Sequence, residues 1–262
     1  MSLKHVFNGK FRGLFERGIS TKKRALGLNG SSTELTIPTE NHLERPTRSF
    51  EDFFEHLKRL GFAPSVCIDV GAATGTHSIY QAFPKAMHIA FEPLPDFQQA
   101  LKETLGPYQH SIRNCALAAD EGQATLLRHS DLYGSSIMHS RADSDEKVLE
   151  IRKSTLDIEL SESDLNGPAL LKTDCQGSDL LVLKGGKSTL AYCDVVIVES
   201  SLFRFWGAHQ PDFYDIVSFM HDQGFALYDL LDGLYRPRDS ALGQIDLAFV
   251  KEQSDFRKDH YW

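Results

Sequence analysis

The chain has 262 residues, 41% of them hydrophobic, 24% charged and 10% aromatic, with a net charge of −8. That profile excludes a wholly disordered or fibrous protein, and the length suits one large domain or two small ones. No run reaches the roughly 18 apolar residues of a membrane span, no apolar signal core opens the chain, and the net acidity argues against nucleic acid as a partner, so a cytoplasmic protein is expected.

The charge is uneven: residues 1–30 carry a net +6, which leaves −14 for the rest. Residues 1–48 read as a basic arm, broken by Gly9, Gly13, Gly18, Gly27 and Gly30 and punctuated by Pro38 and Pro46. Val6, Phe7, Phe11, Leu14 and Phe15 give it an apolar face. That face could meet an anionic membrane or partner, or pack on its own body or on a second subunit of a homo-oligomer. Residues 49–262 read as the main domain.

Ser49, with Asp52 three residues on, caps a helix whose Phe50, Phe53, Phe54, Leu57 and Leu60 share one face; Gly61 and Pro64 end it. Val66–Val70 is apolar enough for a buried strand, and residues 75–83 form a helix stopped by Pro84. Met87–Phe91 is a second strand, and Pro95 opens a helix through Phe97, Leu101 and Leu105 that Gly106-Pro107 closes. Ile112–Leu117 is a third strand, residues 123–153 hold polar strand-like stretches, and Ala169–Thr173 is a fourth strand. A helix from Ser178 breaks at Gly185-Gly186, and Asp194–Glu199 is a fifth strand. Pro211 opens a helix with Phe213, Ile216, Val217 and Met220 on one face, and Phe225–Leu230 and Ile245–Val250 could pair antiparallel. Strands alternating with helices predict an α/β fold, a mostly parallel sheet with helices on both faces. Cys67, Cys115, Cys175 and Cys193 form no C-x-x-C pair and read as buried thiols of a reducing compartment.

In such sheets ligands bind beyond the carboxyl ends of the strands. The first strand runs into Asp69-Val70-Gly71-Ala72-Ala73-Thr74-Gly75-Thr76-His77. Its G-x-x-x-G spacing matches neither a dinucleotide fingerprint nor a phosphate-cradling P-loop. Gly186-Lys187-Ser188 imitates the end of a P-loop, but Leu181 stands where its first glycine belongs. The second strand ends at Phe91-Glu92-Pro93, with Glu92 placed to take ribose hydroxyls. Two acids at adjacent strand ends favour a nucleoside ligand, and S-adenosylmethionine, which carries a sulfonium and no phosphate, fits.

At this point the sequence resembles the FkbM-type methyltransferases over about residues 64–251. The likeness rests on Ile68-Asp69-Val70-Gly71-Ala72 with Gly75, on Ala90-Phe91-Glu92-Pro93, and on Cys115-Ala116-Leu117 followed by Asp120-Glu121-Gly122. It continues through Thr155-Leu156-Asp157, Leu171-Lys172-Thr173-Asp174-Cys175-Gln176-Gly177, Leu183-Lys184-Gly185 and Val198-Glu199. The resemblance implies a Rossmann-like class I methyltransferase fold, a seven-stranded mostly parallel sheet with an antiparallel last strand. It also implies O-methylation from S-adenosylmethionine onto a small-molecule, sugar or glycolipid-type acceptor. By that likeness Asp69, Gly71, Ala72 and Gly75, with His77 beyond them, hold the methionine part, Glu92 the ribose, and Ala116 and Leu117 the adenine.

Methyl transfer from a sulfonium is an in-line displacement, and an alcohol needs a base or a metal to shed its proton. Asp174 and Glu199 end the fourth and fifth strands and could converge. They could hold Mg²⁺, or Asp174 could position the cofactor or act as base, or both could bind only loop groups. The aromatic stretch 200–210 offers Arg204, Trp206 and His209 as an acceptor wall, with His209 a second candidate base. Residues 130–141, with Tyr133, Ser135 and Ser136, read as a lid or a solvated loop. A nicotinamide-dependent oxidoreductase and a binding protein that has lost catalysis are the competing readings.

Overall fold

The computed structural model describes residues 47–138 and 147–261. The expected arm up to residue 46, and residues 139–141 of the expected lid, lie outside them. One compact unit comprises Thr47–Tyr235 and Leu242–Trp262. Residues Arg236–Ala241 fall outside that unit and form a turn closed by Arg236 N–H donating to Ala241 O at 2.8 Å. Arg48 joins the main unit by bridging Leu231, so the last two residues of the expected arm belong with the body.

The elements in chain order are α1 (Phe50–Arg59), β1 (Val66–Val70), α2 (His77–Ala82), β2 (Met87–Phe91), a 3-10 turn at Pro95–Phe97 leading into α3 (Gln98–Leu105), β3 (His110–Arg113) and β4 (Ala116–Leu117). Next come β5 (Gly122–Arg128), β6 (Lys147–Ser154), α4 (Leu156–Glu159), β7 (Ala169–Thr173), α5 (Asp179–Lys184), α6 (Lys187–Tyr192) and β8 (Cys193–Ser201). The described chain closes with α7 (Phe213–Asp222), β9 (Phe225–Tyr235) and β10 (Leu242–Lys251). The seven-stranded sheet has the order β3-β2-β1-β7-β8-β10-β9, all parallel except β10, which runs antiparallel to both its neighbours.

Side-chain alternation along the strands sends each strand into two cores. Cys67, Ala90, Leu170, Ile197 and Ala248 bury against α1, α2 and α3 through Phe53, Phe54, Leu57, Ile79, Tyr80, Leu101 and Leu105. Ile68, Phe91, Leu171, Val198 and Leu247 bury against α4 to α7 through Leu156, Val182, Leu183, Leu190, Ile216 and Met220. The α1 cap forms as expected, Asp52 N–H donating to Ser49 Oγ at 3.1 Å.

Two expected elements change. Ile112–Leu117 is not one strand: Cys115 N–H turns back onto Arg113 O at 3.1 Å, and Ala116–Leu117 leaves the main sheet to pair with β6. The polar stretches of 123–153 supply β5 and β6, which with β4 form a separate three-stranded sheet. The sequence order of the main sheet reverses between β1 and β7, which opens a crevice at their carboxyl ends.

Candidate active site

The β1 and β7 exits are joined by Asp174 N–H, which donates to Val70 O at 3.0 Å. The contact leaves no room for a side chain at Gly71, whose φ is +72° and where a Cβ would meet Asp174 O at 2.0 Å. Beneath this loop lies Asp69, only 1% exposed. Its Oδ1 accepts from Thr76 Oγ at 3.0 Å, and its Oδ2 accepts from Thr76 N–H at 3.2 Å and from Tyr80 O–H at 2.5 Å. The carboxylate expected to face a cationic ligand is thus taken up by the loop and helix above it. Burial and Asp69 together raise the Tyr80 phenol well above its ordinary pKa, so it stays a donor. Tyr80→Phe removes one donor from a buried carboxylate and is expected to cost about 1–3 kcal/mol in denaturant unfolding.

Glu92, at the end of β2, is 4% exposed. Its Oε2 accepts from Ala73 N–H and its Oε1 from Leu94 N–H, each at 2.8 Å. Each oxygen keeps a further lone pair. Burial pushes its pKa up to about 7, against the pull of those two backbone donors. Beside it Leu94, Phe97, Ala116, Leu126 and Ile151 form an apolar shelf with Ala73, Leu132 and Tyr133 packed on it. Ala116 faces this shelf, whereas Leu117 is buried in the core against α4 to α7.

Across the crevice Asp174 and Glu199 do converge. Gln176 Nε2 donates to Asp174 Oδ1 at 3.0 Å and lies 3.3 Å and 3.4 Å from the two Glu199 oxygens. On the other side Lys172 Nζ lies 3.2 Å from Asp174 Oδ2 and 3.8 Å from Asp69 Oδ1. Burial works to lower the Lys172 pKa, but Asp174, Asp69 and Asp246 more than offset it, so the ammonium is held above its ordinary value. Below the turn, Asp179 accepts from Cys175 N–H at 3.0 Å and Gly177 N–H at 3.3 Å. Its pKa is raised to about 6 by burial and by Asp174.

These donors do not fit the expected Mg²⁺. The Gln176 amide, its N–H groups turned to both carboxylates, already stands between them, the Lys172 ammonium lies on the other oxygen of Asp174, and among the described residues no three His, Cys, Asp or Glu side chains converge on a metal position.

Of the three residues expected as an acceptor wall, one is buried and two are exposed. Trp206 is buried against the Gly177 turn, where a Cβ on Gly177 would come 2.5 Å from Trp206 Cδ1, and its backbone N–H donates to Gln210 Oε1 at 2.8 Å. Arg204 is exposed and pairs with Asp212 at 3.0 Å and Asp215 at 3.9 Å, the capping acids of α7. His209 is exposed on the same loop, and His77 is exposed at the start of α2. The described part of the expected lid is packed rather than solvated. Ser136 exchanges backbone hydrogen bonds with Leu127, its Oγ donates to Gln176 O at 2.9 Å, and the Tyr133 ring lies 5.0 Å from that of Phe97.

Lys172, Gln176 and Tyr80 lie in this region without a task in the sequence reading, and Ser136 entered it only as part of the expected lid. A lysine inside an apolar strand was the signal for the first. Gln176 reaches Glu199 across 23 residues and Ser136 reaches Gln176 across 40.

The family model for the methyltransferase FkbM domain matches residues 69–227. No curated protein matches the chain. Solved structures similar to it include magnesium protoporphyrin IX methyltransferase of Synechocystis (12% identity, 77% of each chain covered, TM-score 0.41). Others are 1,6-didemethyltoxoflavin-N1-methyltransferase of Burkholderia thailandensis (12%, covering 77% of this chain and 78% of that one, 0.41) and ribosomal protein L11 methylase of Lactobacillus delbrueckii (12%, 78% and 77%, 0.40). The protein is an S-adenosylmethionine-dependent methyltransferase. It belongs to the FkbM methyltransferase family, which sets the nicotinamide reading aside.

Proposed function

We propose that the protein transfers the methyl group to a hydroxyl of a small-molecule, sugar or glycolipid-type acceptor. The observation that carries this reading is the pair Asp174 and Glu199, brought together around Gln176 beside the β1 loop. Carboxylates only accept hydrogen bonds, so the pair suits an acceptor that donates one. The crevice fits the cofactor: Gly71 lets backbone replace side chain, Glu92 keeps spare lone pairs, and an apolar shelf lies beside it.

When bound, S-adenosylmethionine supplies a methyl group on a positively charged sulfur. Glu92 receives the ribose hydroxyls, and Ala73 and Ala116 border the adenine. Gly71, Ala72 and Gly75 carry the loop around the methionine part, with His77 at its outer end. Asp69 acts from beneath, bracing that loop through Thr76 and Tyr80. Asp174 presents negative charge to the sulfonium side. Glu199, buried and held by Gln176, orients the acceptor hydroxyl and takes its proton, with His209 exposed on the loop beyond it. Trp206 forms the acceptor wall.

Four unpaired cysteines are consistent with a cytoplasmic setting, and no helix among the described residues is long and apolar enough to cross a membrane. We keep the division into an arm and a catalytic domain as part of this reading, with the boundary moved from residue 48 to residue 46.

The test supplies the full-length protein with ¹³C-methyl-labelled S-adenosylmethionine and panels of neutral sugars, glycolipids and phenols alongside amines, N-heterocycles and carbon nucleophiles. The carbon shift of the product methyl separates O-, N- and C-transfer. An O-methyl product lost in Glu199→Gln is expected. Transfer only to nitrogen or carbon acceptors overturns the reading, and binding without any transfer would mark a protein that has lost catalysis.

A further inference from the structure

Lys172 stands at the centre of the sheet, with Asp69 as its register partner on β1 and Ile197 on β8. It shares a face with Leu170 and lies beneath the crevice. The charged groups around it come from every neighbouring element. Asp69 is on β1 at 3.8 Å, Asp174 is at the β7 exit at 3.2 Å, and Asp246 on β10 acts on it at longer range. Behind these stand Asp179 at α5 and Glu92 at β2, which both act on Asp174, Glu199 on β8, joined to Asp174 through Gln176, and Asp232 on β9, which acts on Asp246.

An ammonium costs several kcal/mol to bury, and the carboxylates around it repay that cost only while they are held in place. Of the two within reach, Asp69 braces the glycine loop and Asp174 opens onto the crevice. A substitution at either therefore releases charge under the cofactor. We infer that Lys172 is a positioning residue, which locks the glycine loop to the Asp174 turn and keeps a negative charge fixed at Asp174 for the sulfonium side of the cofactor. This inference rests on the placement of Asp174 against the cofactor proposed above.

Removing a cation from beside a carboxylate raises the carboxylate's pKa. In Lys172→Met, Asp174 should therefore take up a proton as the pH falls, and attraction for the sulfonium should fall with it. Glu92 titrates in both proteins, so the ratio of their dissociation constants sets that shared slope against the effect of removing Lys172 on Asp174 and the groups coupled to it. Calorimetric titration of the full-length protein with S-adenosylmethionine at pH 5.5, 7.0 and 8.5 supplies that ratio. It is expected to be roughly tenfold larger at pH 5.5 than at 8.5. Lys172→Arg should restore the wild-type profile to within about threefold. A ratio independent of pH overturns the inference, because a purely structural role weakens binding equally at every pH.

Asp174→Asn separates the two failures. If that variant binds like wild type, the placement of Asp174 is wrong. If it binds weakly while the Lys172→Met ratio stays flat, only the role of Lys172 is wrong. Should thermal melting show Lys172→Met unfolded, Lys172→Met/Asp174→Asn is compared with Asp174→Asn. Equal affinity supports action through Asp174, and a further loss at every pH overturns it.

Discussion

Affinity for S-adenosylmethionine is expected to rise about tenfold per pH unit up to about pH 7 and then level off, with Glu92→Gln weak and flat throughout. Glu92 has a pKa of about 7, raised chiefly by burial. Below that value the folded protein holds a protonated acid, and one of its oxygens has become a donor. Ribose hydroxyls seek an acceptor, so cofactor binding must first expel the proton, at a cost that grows by one decade per pH unit. The linkage for stability runs the other way. The folded pKa lies above the unfolded value near 4.5, so the folded state binds the extra proton and the stabilising effect is lost as pH rises from about 4.5 through 7. Over that window the cofactor-free protein should lose about 3 kcal/mol from this one group. Urea unfolding of the wild type and of Glu92→Gln at pH 5 and pH 8 checks the stability slope, and calorimetry checks the binding slope. A Glu92→Gln protein that keeps the wild-type pH dependence of binding would remove Glu92 from the ribose site. The group that limits cofactor-free stability above neutral pH is then the same one that the cofactor uses, so binding offsets the strain of the empty crevice.

The strand ends were legible because the chemistry there is written in consecutive residues. Asp69 through Gly75, Glu92 after Phe91, and Asp174 after Thr173 each follow an apolar run, and each lies where the structure opens the crevice. What the side chains do there was less legible. Asp69 turns inward because Thr76 and Tyr80, seven and eleven residues on, satisfy it from the next helix. Lys172 reads as part of an apolar strand because, Asp174 aside, its partners sit on β1 and β10 and come close only once the sheet is assembled. Arg204 and His209 attracted attention as the polar members of an aromatic loop, yet the capping acids of α7 take the first and solvent faces the second. The break inside Ile112–Leu117 carries no Gly or Pro, and Asn114 is its one local turn signal. It depends on Ala116 and Leu117 finding β6, 37 residues along in register.

Gly71→Val is expected to destabilise the protein by roughly 2–5 kcal/mol and to abolish cofactor binding, the sum of a left-handed backbone penalty of about 1–2 and an overpacking penalty of about 1–3. The φ of +72° alone is a modest cost, but the close approach is not. A Cβ at this position would lie 2.0 Å from the Asp174 carbonyl oxygen, 2.9 Å from its carbon and 3.3 Å from Cys175 Sγ. The first two atoms are backbone. They are held by Asp174 N–H on Val70 O at 3.0 Å, while Gly71 N–H is itself fixed to Phe91 O at 3.0 Å. Neither exit can yield without parting β1 from β2 or from the Asp174 turn, which would displace Ala73 and Asp174 together. Gly61 supplies the control: its φ is +88° and nothing lies within 4 Å of an added Cβ. Gly61→Ala should therefore show the backbone penalty alone, with cofactor affinity unchanged. Denaturant unfolding and calorimetry on the two variants separate strain from crowding. If Gly71→Val kept wild-type affinity, the cofactor could not lie in the crevice between β1 and β7, and the roles given to Asp174 and Glu92 would fall with it. Given a total stability of about 5–15 kcal/mol, a loss of this size is large enough to measure and small enough to leave a folded protein in which binding can be tested.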